Sequence, residues 1–259
     1  VPTDLDSSGP DDPVLVSPRY LAGPGLEQPS HAAAFAWSSL TNADWSTYTP
    51  DSGPLLCASP CQLVRTARLP NQADSWRTAV YEDALVAAWW TATWSAETPV
   101  ELIADFHHAL AEAHATGTLH SHTGATDVSL PLLTANWRHT VDGRGERFTD
   151  PTGLAKVTNH RLRHGGEAWR LTVLPETRGS CRWSASFSRQ VPNVLVAAVT
   201  ASLVAATPVH RTAGQLPKEL HRHLVTEPAP PSAPDRSEAV VSAPVRPPDG
   251  PGHSPARRR

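Results

Sequence analysis

The block WWTATWSAETPVELIADFHHAL, from Trp89 to Leu110, is written a second time as RWSASFSRQVPNVLVAAVTASL, from Arg182 to Leu203. At one constant spacing Trp90, Ala92, Ser95, Pro99, Leu102, Ala104 and Leu110 recur as Trp183, Ala185, Ser188, Pro192, Leu195, Ala197 and Leu203. Upstream, LTNADW (Leu40 to Trp45) returns as LLTANW (Leu132 to Trp137), and SWRT around Trp76 returns as AWRL around Trp169. No other feature constrains the fold as much, because whatever one copy builds the other must build too. Two copies are too few for a solenoid. A duplicated pair of tandem domains is the expectation.

Within the block the local geometry is legible. Trp90, Ala92 and Trp94 alternate with Thr91, Thr93 and Ser95, and Trp183, Ala185 and Phe187 alternate with Ser184, Ser186 and Ser188. Period two predicts a strand with one apolar and one wet face, the small Ala leaving a hollow in which a helix can seat. Pro99 and Pro192 suit a first helical turn, with Thr98 a good N-cap and Val191 a poor one. Leu102, Ile103, Phe106, Ala109, Leu110 and Ala113 then form one stripe at helical spacing. The second closing helix, over residues 193–206, is apolar on most sides. It is expected in the contact between the domains or at a homodimer interface.

Short strands precede each closing helix: LVRTARL, SWRTAVYE and AAWWTATWS in the first copy, LAKVTNHRLRH, EAWRLTVL and RWSASFS in the second. Gly165–Gly166 marks a hairpin turn. The predicted class is α+β. Each of two tandem domains is expected to hold a small antiparallel sheet of four or five strands, a flanking N-terminal helix and a closing C-terminal helix on one face. The expected organisation is a flexible leader over 1–15, a first domain over 16–116, a linker over 117–127, a second domain over 128–210 and a Pro-rich disordered tail over 211–259. The tail is least core-like from about Pro228, where too few apolar residues offset an ordering entropy of about 1–2 kcal/mol per residue.

Composition excludes some classes. Thirty-nine per cent hydrophobic residues and nine Trp support a packed core. Three cysteines, an odd number, argue against a disulfide framework and for a reducing compartment. No charged start leads into an apolar run, so no secretory signal is expected. The longest apolar stretch, Val194 to Ala206, is shorter than the ~18–20 residues that cross a bilayer. A cytoplasmic protein without membrane contact is expected. The net charge of −3 gives no general attraction to nucleic acid.

VSPRYLAGPG (Val16 to Gly25), the Trp-x-Ala-x-aromatic strand and TPVELIADFHHAL together resemble the streptomycete family known as domain of unknown function 317, which often occurs in tandem. The resemblance covers roughly residues 16–207. It implies an actinobacterial, cytoplasmic protein, and it supplies no activity. The second copy departs from the pattern, with Val191 before Pro192 and Val194 where the first has Glu101.

Candidate sites are few. Asp105, His108 and Glu112 share a helical face and are the metal candidates, since two carboxylates and an imidazole suit a divalent ion. They span about 10.5 Å of helix axis, too far for one ion without further ligands. The second copy has Ala198, Ala201 and Ala205 in their places. The expectation is therefore a solvated face, with His107 and His108 as decoration on it. Cys57 and Cys61, spaced C-x₃-C, are expected to be small packed residues rather than a zinc pair. Neither G-x-S-x-G nor a phosphate loop is present, and no catalytic residue or cofactor is assigned. Lys156, Arg161, Arg163 and Arg170 form a basic stretch beside Trp169, the candidate contact for a phosphate backbone. The expected function is non-catalytic binding of a macromolecule, a protein first; the alternative is a nucleic-acid-associated protein of plasmid or chromosome maintenance, with a metal-dependent enzyme of one degenerate half behind both.

Overall fold

The computed structural model describes residues 9–120, 126–160, 167–173 and 182–229. The Gly165–Gly166 turn, Arg161, Arg163, Cys181 and the terminal stretches 1–8 and 230–259 lie outside them. In chain order the elements are β1 (Pro13–Ser17), α1 (Pro29–Ala36), α2 (Ser38–Thr41), β2 (Ser46–Tyr48), β3 (Leu55–Ala58), β4 (Val64–Arg68), β5 (Trp76–Val80), β6 (Trp90–Trp94) and α3 (Val100–Ala115). The second repeat follows with α4 (Thr126–Thr134), β7 (Arg138–Asp142), β8 (Gly145–Thr149), β9 (Ala155–His160), β10 (Glu167–Val173), β11 (Trp183–Ser188) and α5 (Asn193–Leu203). Beyond it lie β12 (Val209–Thr212) and β13 (Val225–Pro228).

The class is α+β. Where the sequence led to a separate sheet of four or five strands per domain, the chain builds one ten-stranded antiparallel sheet, β2-β3-β4-β5-β6-β11-β10-β9-β8-β7. Each repeat contributes five strands in a plain meander, and the last strand of each would otherwise be an open edge. The two edges pair with each other, which satisfies both rows of backbone groups.

The repeated letters explain that seam. Across it Ala92 faces Phe187, Thr93 faces Ser186 and Trp94 faces Ala185. Thr93 and Ser186 are counterparts in the two repeats, so an approximate two-fold axis runs through their pair. The hollow left by each Ala receives the aromatic of the other copy, with Trp94 and Phe187 edge to face at 5.8 Å. Ser188 Oγ accepts the Thr91 N–H at 2.9 Å and Ser95 Oγ accepts the Ser184 N–H at 3.0 Å. Those hydroxyls close the ladder symmetrically, and that is why both serines recur.

The helices cover the aromatic face. Phe106 of α3 lies 4.7 Å from Trp94, and α3 packs against α1, α2 and α5. α5 rests on α3 and α4, so its apolar surround is used in the contact between the two halves. One hydrophobic core runs through both halves, from Trp37 and Trp76 to Trp137 and Trp169. The closing helices begin at Val100 and Asn193, with Pro99 and Pro192 at the N-caps. Thr98, expected to cap the first, lies buried within 3.4 Å of Ser95 instead. In each repeat the turn after the entering helix contains a left-handed residue, Asp44 (φ 61°) or Asn136 (φ 60°). The next N–H, from Trp45 or Trp137, then reaches back to Leu40 or Leu132.

Residues 211–228, which the sequence placed in the tail, are ordered. β1 lies between β12 and β13 in a separate three-stranded sheet. Arg211, 2 % exposed at its side chain, joins that sheet to α3. It donates to Glu101 at 2.7 and 2.8 Å and to the carbonyls of Ala22 and Gly23. Those few residues carry too little apolar pattern to signal a fold, and they are held by partners distant in sequence. No helix among the described residues is long and apolar enough to cross a membrane.

Candidate functional site

The face turned away from the helices carries its own pattern. One row crosses all ten strands: Tyr48, Leu56, Ala67, Arg77, Thr93, Ser186, Arg170, Thr158, Arg147 and Thr140. A parallel row in the first half holds Ser46, Ala58, Arg65, Ala79 and Thr91. In the second half its counterpart holds Ser184, Thr172, Lys156, Thr149 and Arg138. These rows contain five arginines and one lysine and not a single carboxylate. In a chain of net charge −3 that is a strong segregation of charge.

Arg77, Arg147 and Arg170 are exposed. Arg77 and Arg170 are counterparts in the repeats and flank the Thr93–Ser186 pair symmetrically. At a strand spacing of ~4.8 Å, their backbones stand roughly 14 Å apart across β6 and β11. Arg65 stacks over the Tyr81 ring at 5.0 Å. Carboxylates border these rows: Asp142, the last residue of β7 and in register with Gly145, follows Arg138 and Thr140 on the same face, and Glu167 of β10 is in register with Ser188. Asp142 accepts the Arg144 and Gly145 N–H groups at 2.7 and 3.1 Å. Those two bonds, with Arg147 nearby, hold its carboxyl below the usual range.

Two of the four basic residues expected to face a phosphate backbone, Lys156 and Arg170, therefore lie on this surface, while Arg161 and Arg163 are outside the described residues. Arg65, Arg77, Arg138 and Arg147 were missed. A signal for Arg77 existed: SWRT and AWRL repeat the arginine as well as the tryptophan. For Arg147 and Arg138 none existed, because only the strand order brings β7 and β8 onto the same face.

The metal candidates do not converge. Asp105 receives Arg19 Nη1 at 3.0 Å and the Ser202 hydroxyl, so it ties the Arg19 segment to α3 and α5. His108 and Glu112 lie 3.5 Å apart and are more than half exposed. Among the described residues no group of three or more His, Cys, Asp and Glu is arranged to hold an ion.

His107 corrects an expectation. It is fully buried, not decoration on a wet face. Nδ1 lies 3.0 Å from the Ala36 carbonyl of α1, and Nε2 lies 3.1 and 3.3 Å from the Thr66 and Thr78 hydroxyls. Burial outweighs the Ala36 bond and lowers its pKa to about 3, so the ring is neutral. Its counterpart Thr200 donates to the Val128 carbonyl of α4 at 2.9 Å. Both residues tether the closing helix to a carbonyl of the entering helix, with different side chains.

The cysteines separate. Burial pushes the Cys57 thiol up to about 12 and leaves it inert. Cys61 is exposed; partial burial pushes its thiol up, but hydrogen bonds from Ser59 and from backbone N–H groups lower it overall. Its Sγ stands 3.7 Å from His114 Nε2. A cavity of about 590 Å³ beside Arg68 is lined by Ser30, Thr49, Asn71 and Ser75 among others, on the first half alone.

Comparison with known families adds one finding. The family model of SPDY, a domain of unknown function (DUF317), matches residues 58–116 and 149–209. The chain thus carries two segments similar to that domain. Each segment runs from within the meander through the closing helix, and together they cover somewhat under half of the chain. No curated protein and no solved structure matches it.

Proposed function

We propose that the protein is a non-catalytic binding protein whose working surface is the uncovered face of the ten-stranded sheet. The observation that carries this reading is the distribution of charge and chemistry over the rows. Residues on the helix side are spent on packing, whereas the two central rows of the open face present Arg, Lys, Thr and Ser on both repeats, with Asp142 and Glu167 at their borders. A surface built jointly by two repeats spans roughly 43 Å at the usual strand spacing, a length suited to a macromolecule rather than to a small substrate. An enzyme with one degenerate half is the weaker reading, since Asp105 is engaged by Arg19 and Ser202. A homodimer through residues 193–206 is weaker too, because α5 is already covered by α3 and α4. The setting proposed for this role, the cytoplasm of an actinobacterium, rests on the resemblance to domain of unknown function 317 and not on the sheet face.

The test is a photo-crosslinking amino acid introduced at Thr93 in the open face and, separately, at Glu112 on the helix side. Adducts with a cellular macromolecule are expected from position 93 and not from position 112. Adducts from 112 alone would overturn the proposal.

A further inference from the structure

We infer that the open sheet face binds double-stranded nucleic acid through its phosphate backbones, with the Thr93–Ser186 pair set on a two-fold axis of the duplex. The inference rests on the proposed role of that face and names its partner. Three observations point to this occupant.

The first is charge. Six cationic side chains, Arg65, Arg77, Arg138, Arg147, Lys156 and Arg170, stand in two adjacent rows that border only Asp142 and Glu167 among the described strand residues of that face, on a protein that is acidic as a whole. A polyanion is attracted to that face and repelled by the rest of the molecule, so charge orients the encounter. Arginine suits phosphate because its planar fork bonds two oxygens at once.

The second is symmetry. A duplex has two-fold axes across its grooves, one strand on each side. Arg77 and Arg170 straddle the protein's own approximate axis at roughly 14 Å between backbones, comparable to the ~12 Å width of a major groove and spanning the ~6 Å of a minor one. The long side chains can therefore reach a phosphate on each strand. Thr93, Ser186 and Thr158, small and polar, leave the centre of the row low enough for a groove edge to approach.

The third is the placement of aromatics. Single-strand binders interleave cations with rings on which bases stack. Between Arg77 and Arg170 this row has only Thr93 and Ser186, while Tyr48 stands at the far edge and Tyr81 is engaged under Arg65. The centre therefore lacks a stacking platform, which favours a duplex over a single strand. The second half, with Arg138, Arg147, Lys156 and Arg170 against Arg65 and Arg77, is expected to hold the duplex more strongly.

The full chain is titrated against a fluorescent DNA duplex of about 25 base pairs, its single strand and the matching RNA duplex, followed by anisotropy between about 50 and 200 mM salt. Micromolar or tighter duplex binding that weakens steeply with salt is expected. Arg77→Ala with Arg170→Ala should weaken it roughly tenfold or more and reduce the slope of log affinity against log salt by about two. Circular dichroism confirms that the variant is folded. No duplex binding at low salt, binding unchanged in the double variant, or a preference for the single strand would each overturn the inference. The crosslinker at Thr93 separates the two levels of the argument. Nuclease-sensitive adducts support both, and protein adducts resistant to nuclease remove nucleic acid but leave the face. Absence of adducts removes both.

Discussion

His107 and Thr200 occupy equivalent positions and do the same job, but only one of them titrates. The His107 ring is neutral in the fold, with its pKa lowered by burial to about 3 from 6.5. Its unfolded form takes up a proton below about 6.5, while the folded form resists protonation down to about 3. Stability is thus fully present above about 6.5 and falls as pH drops through that window, by up to about 1.4 kcal/mol per pH unit from this group. Between pH 7 and pH 5 the expected loss is about 2 kcal/mol. Urea unfolding at the two pH values measures it, and His107→Gln, which cannot take up the proton, should remove most of that difference. Sequence reasoning placed this ring on the wet side because an adjacent pair, His107 and His108, cannot both be assigned by period alone. The helix rotates by about 100° between them, which is enough to bury one and expose the other.

At the scale of elements, the strand, proline and helix of each repeat were legible, and so was the α+β class. What the aromatic–Ala–aromatic pattern does was not. It seats a helix, and it also serves as the complementary surface for its own copy. The fit across β6 and β11 leaves no room for a larger side chain at either Ala. Ala92→Leu or Ala185→Leu should cost about 1–3 kcal/mol by forcing Phe187 or Trp94 off its rotamer. For a chain of this size that lowers the melting temperature by roughly 2–12 °C. Ala87→Leu, at an exposed position, is the control and should fall within about 0.5 kcal/mol of the parent. Thermal melts of the three variants decide it, and equal effects at 87, 92 and 185 would contradict the seam as described.

For the whole molecule, the joined sheet makes each half depend on the other. Residues 9–120 alone would expose β6 as an open edge bearing Trp90 and Trp94. Because the seam is centred on equivalent residues, a second copy of the same half supplies the missing edge, with Thr93 opposite Thr93 and Ala92 opposite Trp94. The isolated half is therefore expected to dimerise through β6 or to aggregate. Sedimentation measures this, and Ala92→Leu should abolish the dimer. A stable monomer would show that the edge needs no partner.

The repeat, the period-two strands and the proline-started helices were determined by the sequence itself, since each depends on spacing along one segment. The pairing of β6 with β11, the burial of His107, the capture of β12 and β13 by β1 and the gathering of Arg77, Arg147, Lys156 and Arg170 onto one face were decided only by the tertiary structure. Those are contacts between segments far apart in the chain. Which edges meet is set by the packing of complementary surfaces and by the need to pair every buried backbone group, and neither is local in sequence.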